Sequence, residues 1–264
     1  MTGDANPKTA GPLAREAAAH AIRAQPSLAE AQTALGMVEF FLDWDWTAAE
    51  AALRRAIELD PSYAFGYLQL GHMLSQSARH AEAQAAARRA CELDPLLTVN
   101  HAISSQVAFQ ARDYPAAIEL AREAIVIDPE FWIGYVQRGQ AYEQLGRTDL
   151  ALALATAARF SESNSKALSL RGYVLARRGQ IGEAREVLAF MESLARARYV
   201  PPYALVLVHA GLGEPDEAFA RLDQAHADGD EHLIFLTVDP KWDSYRTGRR
   251  FEGLLARCGF ARPT

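Results

Sequence analysis

The chain has 264 residues, of which 50% are hydrophobic, and its 27 Lys and Arg against 33 Asp and Glu give a formal net charge of -6. This acidic balance lacks the basic surface that binds nucleic-acid phosphates, and no apolar run approaches the ~20 residues of a membrane span, so we expect neither nucleic acid nor membrane as a partner. The two cysteines lie far apart in a chain without a secretion signal, which favours a reducing compartment and a cytoplasmic protein.

The amino-terminal residues 1–12 contain Gly, Pro and polar residues without an apolar run, and we expect them to form a disordered leader. Residues 13–26 follow as a helix that ends at Gln25-Pro26, because proline blocks helical continuation. This helix would lack the partner helix that every later unit has. We therefore interpret it as the orphan helix of a truncated repeat, and we expect the chain to derive from a longer protein.

Residues 27–228 contain a sequence repeat with a period close to 34 residues. Leu59-Asp60-Pro61, Leu93-Asp94-Pro95 and Ile127-Asp128-Pro129 recur at intervals of 34. Small residues recur at nearly the same spacing, because neighbouring helices can approach closely only where side chains are small. These small residues form an alanine column, Ala14, Ala49, Ala83, Ala117, Ala151, Ala184 and Ala218, and a glycine column, Gly36, Gly71, Gly139 and Gly172.

Each unit contains two amphipathic helical patterns. In the second unit, SYAFGYLQLGHMLSQS predicts one helix and HAEAQAAARRACEL predicts the next, which ends at Asp94-Pro95. A short connection makes two such helices antiparallel. The array over residues 27–228 is therefore predicted to contain about six antiparallel helix pairs.

The first complete unit contains an unusual stretch, FFLDWDW, from Phe40 to Trp46. Two tryptophans that each follow an aspartate could form a sugar platform, an acidic metal site or a turn. The small-residue columns place this stretch between two helices, and the one extra residue of the unit falls within it. We therefore interpret Phe41 to Trp46 as a turn in which Asp45 or Thr47 caps the second helix, while Trp44 and Trp46 wedge against the orphan helix.

The carboxy-terminal residues 229–264 depart from the repeat. HLIFLTV could continue as a first helix, but Asp239-Pro240 would end it after about two turns. A further helix is predicted from an apolar stripe that consists of Phe251, Leu254 and Leu255. We expect these residues to form a capping segment that covers the apolar face of the last repeat.

The unit resembles the tetratricopeptide repeat (TPR), a helix pair of about 34 residues. The third unit departs from the family pattern, with His101, Ser104 and Ser105 at its aromatic and Leu-Gly positions. The resemblance implies an all-α fold, a right-handed superhelical solenoid of antiparallel helix pairs with a non-repeat C-terminal helical cap. The pattern is matched in the second unit by Tyr67, Leu70, Gly71, Ala83, Ala90 and Pro95, and in the fourth by Tyr135, Gly139, Tyr142, Ala151 and Ala158.

In such a solenoid the first helix of each pair lines the concave surface, where peptides or helices bind. A bound ligand, the protein's own tail and a second copy of the chain are all alternatives for what fills this groove. The predicted lining is apolar with scattered amides. By register it includes Met37, Phe40, Phe65, Leu68, His72, Gln106, Phe109, Ile133, Val136, Gln140, Tyr173 and Arg177.

No group of residues predicts catalysis. The histidines do not show the spacing of a metal site, and phosphate-loop, dinucleotide and nucleophile motifs are missing from the sequence. We therefore expect neither an enzyme nor a bound metal or cofactor.

A narrower resemblance suggests a role. Asp43-Trp44-Asp45-Trp46, Arg198–Tyr203 and Val238-Asp239-Pro240 are similar to the C-terminal sensory region of bacterial regulators, in which the array follows a winged-helix, adenylate cyclase or serine/threonine kinase domain. The resemblance implies a protein-interaction module in signal transduction or transcription regulation, with a protein or peptide as its partner. The alternative is a structural solenoid that assembles into a homo-oligomer through the open orphan helix or the groove.

Overall fold

The computed structural model describes residues 4–157 and 164–260, and this part of the chain is helical apart from its turns. Six antiparallel pairs, from α2/α3 to α12/α13, follow the single helix α1, and the all-α solenoid expected from the repeat is confirmed. Parts of three predicted segments lie outside the described residues. They are residues 1–3 of the leader, Ala158 of the fourth repeat and residues 261–264 of the cap. The helices are α1 (Pro7–Ala24), α2 (Ala29–Val38), α3 (Trp46–Leu59), α4 (Ala64–Gln76), α5 (His80–Leu93), α6 (Thr98–Gln110), α7 (Tyr114–Ile127), α8 (Trp132–Gln144), α9 (Thr148–Ala157), α10 (Ser165–Arg177), α11 (Ile181–Ala197), α12 (Pro202–Leu212), α13 (Pro215–Asp228) and α14 (Arg249–Arg257).

Small residues form the contact between the helices of each pair. Ala49 and Ala83 have no exposed surface. A Cβ atom on Gly71 would lie 2.9 Å from the carbonyl oxygen of Ala83, so α4 and α5 leave no room for a methyl group at this position. Ala14, the member of the alanine column on α1, is instead exposed, because no described helix precedes α1 to cover it.

The first helix begins earlier than predicted. It starts at Pro7, and the Asn6 side chain caps it by accepting a hydrogen bond from the backbone amide of Lys8 at 3.0 Å. Proline suits the first position of a helix, where its missing N–H would have no partner within the helix. Residues 7–12 are therefore helical, and the prediction of a disordered leader over 1–12 was wrong for them.

The amino-terminal segment contacts the carboxy-terminal half of the chain. Lys8 Nζ forms an ion pair with Asp228 of α13 at 2.6 Å. The carboxylate of Asp4 pairs with Arg198 at 2.6 Å and also accepts a hydrogen bond from Ser165 at the start of α10. The start of α1 is therefore tied to the later repeats, which differs from the open end expected for an orphan helix.

The turn between α2 and α3 contains the extra residue of the first complete unit. Glu39–Asp43 forms a π-helical turn, the usual way in which one inserted residue is accommodated in a helix. Trp44 then adopts a left-handed backbone conformation, with φ 56°. Of the two candidate caps, Asp45 is the residue whose carboxylate accepts from the Ala48 amide, at 2.9 Å. The stretch is thus a turn, as predicted.

The two tryptophans pack against the carboxy-terminal part of the chain. Trp46 stacks on Phe260, near the carboxy terminus, with ring centroids 4.8 Å apart. Trp44 lies 5.5 Å from the same ring and 6.1 Å from the ring of His226 on α13. They therefore join the first complete pair to the last segment of the chain, whereas the wedge against the orphan helix stays a prediction.

The carboxy-terminal tail, residues 230–260, crosses the concave side of the array. It forms two 3₁₀ helices, Glu231–Thr237 and Pro240–Tyr245, before α14. Trp242 and Phe251 are completely buried in a core that also contains residues of α3 to α5 and α13. The Thr237 hydroxyl donates to the carbonyl oxygen of Gln76 on α4 at 2.7 Å. The tail therefore contacts early repeats as well as the last one.

No helix among the described residues is both long enough and apolar enough to cross a membrane.

Candidate functional site

The concave surface encloses a cavity of about 250 Å³. Its walls come from the first helices of the pairs, α2, α4, α6, α8, α10 and α12, and from the tail. The tail therefore converts part of the open groove into a chamber.

Most of the predicted groove residues meet in this chamber. They come from five different repeats, which the curvature of the solenoid brings together. The predicted residues that line the chamber are Met37, Phe65, His72, Gln106, Ile133, Val136, Gln140 and Tyr173.

Three predicted groove residues are instead buried in the protein core. Phe40 is 1% exposed, because the π-helical turn changes the helical register so that Phe41 lines the chamber in its place. Leu68 has no exposed surface. Phe109 is covered by the tail, with the ammonium group of Lys241 4.7 Å from the centre of its ring.

Arg177 is the fourth predicted groove residue that does not line the chamber, and it is exposed at the end of α10. Its guanidinium lies 3.7 Å from the carboxylate of Glu143 on α8. Burial raises the pKa of Glu143, and the charge of Arg177 opposes this shift. Arg177 therefore contacts a neighbouring repeat and does not line the chamber.

Tail residues hold the chamber wall in place through polar contacts. Lys241 Nζ donates to Gln140 Oε1 at 3.1 Å and pairs with Asp239 at 2.8 Å. The ring of Phe235 stacks on His72, with centroids 6.0 Å apart. Of the alternatives for the groove, the protein's own tail therefore occupies part of it.

Several buried polar atoms in the chamber wall have no hydrogen-bond partner. The side chains concerned are at most 6% exposed, and each lines the chamber. A buried polar group without a partner costs about 1–3 kcal/mol, so an array of them in one cavity indicates a place for a bound molecule. Among the described residues these atoms are Gln69 Oε1, His72 Nε2, Ser169 Oγ and His232 Nε2.

The two chamber histidines are in different electrostatic environments. Burial, with a contribution from the charge of Lys166, lowers the pKa of His72 to about 3, so its ring is neutral at neutral pH. His232 Nδ1 lies 2.7 Å from the carboxylate of Asp230. Burial opposes ionisation of Asp230, but His232 and the backbone amide of Tyr203 stabilise the carboxylate and keep its pKa below the ordinary value.

The described residues contain no group of three or more His, Cys, Asp or Glu side chains that could hold a metal ion. The chamber wall contains hydrogen-bonding and charged side chains.

Comparison with known proteins identifies the fold. Residues 66–95 match the family model for the tetratricopeptide repeat. The whole array resembles the solved APC/C hetero-tetramer Cut9-Hcn1, with a TM-score of 0.64, 13% identity, and coverage of 94% of this chain and 46% of that chain. The fold is a TPR solenoid.

Two further TPR solenoid structures are similar. PilW, a type IV pilus biogenesis factor, has a TM-score of 0.59 at 16% identity, over 86% of this chain and 98% of that chain. PilF of Pseudomonas aeruginosa has a TM-score of 0.55 at 16% identity, over 86% and 96%. At these identities the likeness establishes the fold alone. In sequence, the chain matches no curated protein.

Several residues that line the chamber of this TPR solenoid were not predicted from the sequence. Glu231 and His232 belong to the tail, which was expected to cover only the last repeat. Lys166 and Ser169 lie on α10, one turn apart, in a unit whose small-residue spacing is one residue shorter than the 34-residue period. A lysine at an inward position of a first helix was the available signal, because such a side chain is rarely buried without a partner.

Proposed function

We propose that this TPR solenoid is a non-enzymatic protein-interaction module that forms the sensing or docking part of a bacterial regulatory system. Its partner is a peptide or protein segment that lies on the concave surface. The chamber supports this proposal most directly, because it lies on the concave surface and, within the described residues, presents buried polar atoms without partners.

The regulatory role is supported by the resemblance of the Asp43–Trp46 turn and the tail to the sensory regions of bacterial regulators. A cytoplasmic location fits the two free cysteines, Cys91 and Cys258.

A peptide display library selected on the purified full chain tests this function. Phe65→Ala and Ile133→Ala change chamber residues that are only partly buried, whereas Ile181→Ala changes an exposed residue at the start of α11. We expect selected peptides to lose binding to the first two variants and to retain it on the third. Equal binding to all three variants would place recognition outside the concave surface.

Self-assembly is the second candidate, favoured by one observation. Leu13 is 68% exposed beside Ala14, on the face of α1 that a helix covers in the later units. A second copy of the chain would bury this face. Sedimentation velocity over a wide concentration range should then show a dimer that Leu13→Asp abolishes, and a strict monomer would exclude this candidate.

A further inference from the structure

Three elements bring polar side chains in pairs to the chamber. Two lie one turn apart on α4, two lie one turn apart on α10, and two are adjacent at the start of the first 3₁₀ helix. Phe235 links two of these elements, because its ring contacts both His72 and His232, with centroids 6.0 and 6.1 Å away. In chain order the six residues are Gln69, His72, Lys166, Ser169, Glu231 and His232.

Two of these residues carry charges that the protein does not pair. Lys166 and Glu231 line the same chamber and are close enough for the Glu231 carboxylate to act on the pKa of Lys166. No ion pair or hydrogen bond joins either side chain to another group in the described part of the chain. The chamber thus presents one free cation and one free anion within these residues.

The other charged groups that line the chamber or act on Lys166 already have partners. The Asp230 carboxylate is held by His232 and by the backbone amide of Tyr203. Asp239 and Lys241 pair with each other at 2.8 Å. Asp4, whose charge also acts on Lys166, is occupied by Arg198 and Ser165. Burial lowers the pKa of Lys166, so a carboxylate beside it would stabilise the protonated ammonium. Net attraction for a ligand therefore comes from Lys166 and Glu231 together.

The rest of the wall is apolar and limits the size of the ligand. Phe41, Phe65, Trp132, Ile133 and Val136 line it. A cavity of 150 Å³ holds benzene, so about 250 Å³ accepts a molecule on the order of ten non-hydrogen atoms. Such a molecule has room for a small apolar body and one polar head.

We propose that the chamber binds a free α-amino acid with an apolar side chain. Lys166 binds its carboxylate and Glu231 binds its ammonium group. The unpartnered atoms of Gln69, His72 and Ser169 complete the hydrogen bonds of this head, and the apolar wall contacts the side chain. This inference rests on the proposed function and names what the module senses.

Titration of the full chain with L-leucine, followed by calorimetry, tests the proposal. Two probes each lack one charge: 4-methylpentanoate has no ammonium group and 3-methylbutylamine has no carboxylate. We expect leucine to bind at least about tenfold more tightly than either, since each charged contact is worth roughly that factor. Binding of 4-methylpentanoate as tightly as leucine would overturn the role of Glu231.

Two variants separate the charges. Lys166→Met removes the cation and keeps an unbranched apolar chain, and we expect it to lose leucine binding. Glu231→Gln removes the anion, so this variant should bind leucine no more tightly than it binds 4-methylpentanoate. Glu186→Gln is the matched control for Glu231→Gln, because Glu186 is exposed on α11, away from the chamber. Thermal melting of each variant checks that it is folded.

The outcomes distinguish this inference from the proposed function. Failure of leucine to bind, or unchanged binding by folded Lys166→Met, overturns the amino-acid site. In that case, peptides selected by display whose binding depends on Phe65 would still support the interaction module. Peptides with a free carboxy terminus that bind where leucine does not would likewise overturn the amino-acid site.

Discussion

His72 lies among three aromatic rings, those of Phe40, Phe41 and Phe235, whose centroids are 5.5, 5.5 and 6.0 Å from its own. Burial is the main cause of its low pKa, about 3, and the charge of Lys166 adds to it. A neutral imidazole can therefore offer Nε2 to a ligand without the cost of a buried charge.

This burial predicts how stability depends on pH. The pKa of His72 is about 3 in the folded chain and about 6.5 in an unfolded one. Between these values the unfolded chain binds one more proton at this site, so the free energy of unfolding falls as the pH is lowered through the window. Within this window, His72 lowers the free energy of unfolding by about 1.4 kcal/mol for each pH unit of acidification. Above pH ~6.5 it has no such effect.

Urea unfolding at about pH 7 and about pH 5 measures this dependence. His72→Leu should lose less stability than the wild type over that range, whatever its stability at neutral pH. His20→Leu is the control, because His20 is exposed on α1. An unchanged pH dependence in His72→Leu would show that the imidazole is not buried as described.

At the scale of the helices, close approach within a pair depends on glycine and alanine. Gly71 faces backbone atoms of α5, which cannot move aside as a flexible side chain can. Gly253 lies in the middle of α14 with open space at its Cβ position. The two glycines therefore make a matched pair for testing the role of the glycine column.

Gly71→Ala should destabilise the chain by about 1–3 kcal/mol, because the added methyl group must push α4 and α5 apart. Gly253→Ala should stabilise it by about 0.5–1 kcal/mol, because alanine favours the helix over the unfolded chain. Urea unfolding compares the two. A gain in stability for Gly71→Ala would mean that α4 and α5 are not in close contact there.

The helix pairs could be predicted because each depends on residues close together in sequence, such as Ala83 and Gly71. The lining of the chamber could be predicted only in part. One inserted residue in the Glu39–Asp43 turn exchanges Phe40 for Phe41, and periodicity does not show where a π-helical turn lies. The path of the tail depends on how the whole array curves, which no local pattern of residues 230–260 encodes.

At the scale of the whole molecule, the two ends of the array meet. Lys8 pairs with Asp228, and the tryptophans of the first complete pair contact Phe260. The tail runs between these ends along the concave side, with Thr237 bonded to α4 and Lys241 bonded to α8. A groove that is open in the repeat pattern is thereby closed into a chamber, on which both proposals depend.

A double-mutant cycle between Trp46 and Phe260 tests this closure most directly. These rings are 4.8 Å apart although they lie at opposite ends of the sequence. If the tail closes the groove, Trp46→Ala and Phe260→Ala should show a coupling energy of about 0.5–1.5 kcal/mol in urea unfolding. Strictly additive effects of the two changes would show that the tail does not reach the first complete pair, and would contradict the closed chamber.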